Sequence, residues 1–63
     1  MPLTEQEAIN LARSIKESSL SAAETEKRMH AAGFSGVLIS WKYRTSELHS
    51  IVCGQWGNIF ICV

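Results

Sequence analysis

The chain has two cysteines, one proline and four glycines among its 63 residues. Two cysteines are too few for the disulfide-dense scaffold of a small secreted domain. They are not spaced as Cys-x-x-Cys, so the usual dithiol redox signature is missing. There is no excess of either charge: six Lys and Arg balance six acidic residues. A strong nucleic-acid binder rests on a basic excess, and a DNA mimic on an acidic one, so neither class is favoured. No apolar run approaches the roughly 20 residues that a membrane span needs. The start, Met1-Pro2-Leu3-Thr4-Glu5, has neither the basic nor the apolar stretch of a signal peptide. The expectation is a cytoplasmic chain with reduced thiols and no membrane contact. A glycine-rich phosphate loop is also missing. Gly33-Phe34-Ser35-Gly36 leaves a helix and enters a strand, the reverse of the order that a phosphate loop uses.

What is present is globular composition, 46% apolar and 19% charged. A chain this short buries only about 60% of the surface its unfolded form exposes. It therefore needs a staple, a metal or a partner chain to become more than marginally stable.

The two halves differ. Residues 1–32 are rich in Ala, Glu, Lys, Arg and Ser, which favours helix. Residues 35–63 hold both Trp, the only Tyr and most of the Val and Ile, which favours strand. The first helix is expected over about 4–17. Thr4 and Glu7 have capping-box spacing, and Ala8, Leu11, Ala12 and Ile15 recur as one buried stripe with Ile9 beside it. Glu17-Ser18-Ser19 should end it, because serines compete for the backbone. The second helix is expected over about 21–32. Ser21 and Glu24 repeat the capping box, and Gly33 is a left-handed stop with Phe34 folding back on Met29. Its apolar side is thin: Ala22, Met29 and Ala32, with Ala23 and Ala31 beside them.

Three strands are expected, over about 36–44, 47–56 and 59–63. Gly57-Asn58 is a two-residue hairpin signal. It pairs Trp56 with Ile59, Gly54 with Ile61 and Cys53 with Cys62. A turn at Thr45-Ser46 pairs Arg44 with Glu47, an opposite-charge pair that supports the register. One sheet face then carries Val37, Ile39, Trp41, Tyr43, Leu48, Val52, Trp56, Ile59, Ile61 and Val63. This is the face the helices should cover. The other face is polar near the first turn, but gathers Leu38, Ile51, Cys53, Phe60 and Cys62 at its far end. A sheet covered on one side normally shows a polar open side. The excess of apolar residues marks an expected binding surface. The last strand carries no charge and no proline, so its edge invites pairing with another chain.

The chemical candidates are weak. Cys53 and Cys62 are opposed at a non-hydrogen-bonded position, where Cα atoms approach to about 4.5 Å, so a bridge is geometrically open to them. Reduced thiols are the expectation, since nothing in the sequence points to an oxidising compartment. His49 and Cys53 lie about 13 Å apart along an extended strand, too far to share a zinc ion. Lys27, Arg28 and His30 sit late in a helix, where the dipole favours cations, and read as a solvated helix end.

The fold expected is thus α+β, with two N-terminal helices on one face of a three-stranded antiparallel meander, in the order α-α-β-β-β. The function expected is a small non-catalytic interaction module binding a protein stoichiometrically, as a self-associating regulator or inhibitor. Its surface would be Leu38, Ile51, Phe60 and Trp56, the last open to reading as core or as exposed anchor. A homodimer would supply burial that one chain lacks. No metal or cofactor is expected. The second reading is a nucleic-acid-binding regulator. Two helices followed by a hairpin resemble part of a winged helix, with Lys27, Arg28 and His30 as the contacts, although the further helix of that pattern is absent.

Overall fold

A computed structural model describes residues 3–63. Helix α1 spans Glu5–Glu17 and helix α2 Ala22–Ala31; strands β1, β2 and β3 span Ser35–Arg44, Glu47–Trp56 and Ile59–Cys62. The strands form one antiparallel sheet in the order β1-β2-β3. This is the α-α-β-β-β arrangement the sequence implies.

The helix ends follow their caps. At the start of α1 the Glu7 N–H donates to the Thr4 hydroxyl at 3.2 Å, and the Thr4 N–H donates to the Glu7 carboxylate at 2.9 Å. The backbone bond from Thr4, and then its hydroxyl, hold the Glu7 carboxyl below its ordinary pKa. At the other end the Ser18 hydroxyl donates to the Ser14 carbonyl, and Ser19 turns left-handed at φ 55°. The cap of α2 is only half of the expected box. The Ser21 hydroxyl accepts from the Glu24 N–H at 3.3 Å, but the Glu24 carboxylate turns to Arg28, one helical turn on, at 3.5 Å. The stop is a full Schellman motif: Gly33 N–H donates to the His30 carbonyl and Phe34 N–H to the Met29 carbonyl, both at 3.0 Å.

The core is Ala8, Ala12 and Ile15 from α1, Met29 from α2, then Phe34, Val52 and Ile61. The buried side of α2 is Thr25 and Met29, with Ala32 packed against the core as expected, whereas Ala22, Ala23 and Ala31 are exposed. Gly54 explains how Met29 and Phe34 reach the sheet. A Cβ there would lie 3.2 Å from Phe34 Cβ and 3.4 Å from Met29 Cε. The missing side chain is the seat that those two occupy.

The sheet register is the one the turns dictate: Arg44 opposite Glu47, Trp56 opposite Ile59 and Cys53 opposite Cys62. One irregularity was not foreseen. Between Ser35 and Leu38 the pairing shifts by a residue, with Gly36 left-handed at φ 56°, as in a glycine bulge.

The expectation of two reduced thiols is corrected. Val52 and Val63 exchange both backbone bonds, at 3.0 and 2.8 Å, so the next pair is a non-hydrogen-bonded one. There the Cys53 and Cys62 Cα atoms are 4.1 Å apart and the sulfurs are bonded to each other. Strand register places the sulfurs together, and this outweighs an argument from compartment. It also removes the support that free thiols gave to a cytoplasmic location.

Candidate interaction surface

Two strands of ten residues extend about 33 Å, while α1 and α2 reach only about 20 and 15 Å. The helices therefore cannot cover the whole β1–β2 hairpin. They cover its root, and the turn end projects as a two-stranded arm from a molecule 41 Å long and 18–20 Å across. This corrects the expectation that the helices would hide all of the inner face. Trp41, Tyr43 and Leu48 lie on that face but beyond the helices, and are 57%, 74% and 53% exposed. Tyr43 stands directly opposite Leu48, and Trp41 opposite Ser50. The sequence already held the signal for these residues, in the simple mismatch between strand length and helix length.

Among the described residues the outer face carries no helix, and only Lys16 at the end of α1 reaches its margin. Leu38 and Phe60 are 61% and 56% exposed there. Leu38 faces Cys53, which faces Cys62, so the disulfide forms a rung across this surface. Ile51 lies beside the rung and is half-buried. Leu38, Ile51 and Phe60 thus share the face assigned to them. Trp56 does not join them. It lies on the inner face, half-buried against the core, so its reading as an exposed anchor is corrected.

Where the arm leaves the body, a groove of about 230 Å³ and mixed lining opens, with Leu20, Ile39, Trp41 and Leu48 as its large apolar side chains and Ser19, Thr25 and Ser50 among its polar ones. On the opposite side of the arm, Lys42, Arg44 and His49 surround Ile51 in a depression of about 390 Å³. Lys16, at the end of α1, borders both. His49 Nε2 lies 3.5 Å from the Glu47 carboxylate.

Lys27, Arg28 and His30 are exposed on α2. They are not an uncompensated basic patch. Arg28 is paired with Glu24, and Lys27 and His30 share a shallow depression with Glu26. Among the described residues no three of His, Cys, Asp and Glu come together as a metal site, and no helix is long and apolar enough to cross a membrane.

What this geometry defines is a class: a two-helix, three-stranded α+β module with one covered and one open sheet face, and a projecting arm. No protein-family model, no curated protein and no solved structure matches the chain.

Proposed function

We propose that the protein is a small non-catalytic interaction module that acts by stoichiometric binding and associates with itself, as a regulator or inhibitor would. One observation carries this reading: among the described residues five large apolar side chains stay more than half exposed, Leu38 and Phe60 on the outer face and Trp41, Tyr43 and Leu48 grouped on the inner face of the arm. Monomers do expose single apolar residues, but contiguous apolar surface is typical of interfaces. Trp and Tyr are also the side chains that dominate binding energy when a partner covers them. The open concavities suit docking better than enclosure of a reacting substrate.

The nucleic-acid reading has less behind it. Its three helix residues are interleaved with Glu24 and Glu26, and there is no third helix among the described residues.

Light scattering across a concentration series tests self-association. The expected result is a dimer that Phe60→Asp returns to monomer with the fold intact. A wild-type chain that stays monomeric at high micromolar concentration would remove self-association from the reading.

A further inference from the structure

Strand β3 pairs with only half of β2, from Cys53 to Trp56, with Val63 adding one more rung at Val52. Beside residues 47–51, β2 pairs with no third strand among the described residues, and Lys16 at the end of α1 borders this edge from both faces. Backbone parity says which groups point out from it. Val52 directs its N–H and C=O toward Val63, so Ser50 and Leu48, two and four residues back, direct theirs the same way. Four hydrogen-bonding groups thus line a lane in direct continuation of β3. The opposite edge of the sheet is less receptive. It is bent by the bulge at Gly36. The β2 edge has no bulge and no proline over this stretch.

The two sides of the lane differ in chemistry. Toward the inner face lies a groove whose apolar side chains are Leu20, Ile39, Trp41 and Leu48, with Ser50 and Lys16 at its rim. Toward the outer face lie Lys42, Arg44 and His49, and Lys16 stands at the edge between the two sides. Of these four, His49 alone has a carboxylate within 4 Å among the described residues. Successive residues of a strand point to opposite faces. A strand seated in the lane would send alternate side chains into the groove and onto the cations.

We propose that this lane is a strand-addition site for an extended segment of a partner protein in which acidic and apolar residues alternate. Apolar side chains opposite Ser50 and Leu48 enter the groove. Acidic side chains opposite Ile51 and His49 meet Lys16 and Lys42. Main-chain bonds to Ser50 and Leu48 hold the segment, and the alternation gives it register and selectivity. The inference rests on the reading of the protein as an interaction module and names the partner's chemistry.

The test titrates a short capped peptide alternating Glu and Val into the full chain, read by backbone amide shifts and Trp fluorescence. The expected shifts centre on Leu48 and Ser50. Ser50→Pro removes a donor that faces the lane and not the ladder to β1, so it should spare the fold. This variant, and the Lys16→Glu, Lys42→Glu pair, should each weaken binding about tenfold. A second measurement leaves the protein untouched. Methylating the peptide amides that face β2 should abolish binding, and methylating the alternate set should not. A wild-type chain that ignores the peptide, equal binding of a Lys–Val peptide, or indifference to which amides are methylated would each overturn the proposal. So would a single-stranded oligonucleotide that binds these cations unaffected by Ser50→Pro and excludes the peptide. Phe60→Asp should leave peptide binding unchanged. A chain that dimerises but ignores the peptide refutes the lane alone; one that binds the peptide but never dimerises keeps the lane and loses self-association.

Discussion

The two ends of the β1–β2 hairpin are made from the same two strands in largely the same register, but they have different surroundings. At the root, Val52 and Gly54 are buried under Met29 and Phe34. At the turn end every residue from Ser40 to His49 is exposed. Composition does not separate them, since the exposed end carries Trp41, Tyr43 and Leu48. Helix length does. The difference teaches that an apolar strand pattern states what is available for burial, and that the covering elements decide how much of it is buried.

The turns sharpen the contrast. Near the body, Gly57 takes the left-handed first position that a type II′ hairpin turn reserves for glycine. At the arm tip, Thr45 and Ser46 hold φ of 50° and 67°. Both central residues of a type I′ turn are left-handed, and a β-branched threonine there is strained.

If stability resides in the covered end, Met29→Ala should produce the largest loss, roughly 2–5 kcal/mol in urea unfolding. A loss below about 1 kcal/mol would place the core elsewhere. Next comes the cross-link. Replacing Cys53 and Cys62 by serine should cost about 2–3 kcal/mol, given the short loop between them. Hydrogen exchange should then rise along β3 before it rises in α1. Thr45→Asn with Ser46→Gly should stabilise the chain by about 1 kcal/mol, by easing the left-handed turn. No gain in thermal midpoint would contradict the turn geometry. Tyr43→Ser, at the exposed end, should move stability by less than about 0.5 kcal/mol. A larger effect would mean that the arm packs against something, and the two-region picture would break.

The smallest effect is a pH effect at the cap of α1. Glu7 has a lowered folded pKa because its carboxylate accepts the Thr4 N–H. Its contribution is therefore present above the ordinary carboxylate pKa and is lost as pH falls through the lowered value. Glu7→Gln should lower the thermal midpoint slightly at neutral pH and converge with the wild type in acid, which flattens the acid limb. A steeper acid limb in the variant would reverse the assigned sign.

Element order, caps and hairpin registers were legible because each has a local cause. Thr4 and Glu7 are three residues apart, Gly33 stops a helix, and Gly57-Asn58 closes a two-residue turn. The buried Thr25 was not legible, because a hydroxyl on a helix of alanines gives no hydrophobic signal. The bulge at Gly36 was also hidden, since a glycine at a strand start reads equally as regular strand. For the surface, Leu38, Ile51 and Phe60 follow from strand alternation alone. Register puts Trp56 on the covered face, its place beside a turn also offers it as an exposed anchor, and its packing against the core decides for the first. The arm and its cations were missed because Lys16 is brought to Lys42 and Arg44 by the tertiary fold, across more than twenty residues of sequence.

The rung of sulfur atoms has a practical corollary. It lies between Leu38 and Phe60, in the middle of the uncovered side of the sheet. A reducing agent in the buffer would turn that central bridge into two thiols and loosen the C-terminal strand beneath any molecule resting there. Affinities measured with and without reductant would then describe two different landing areas, and comparing them would reveal whether the bridge is part of the contact.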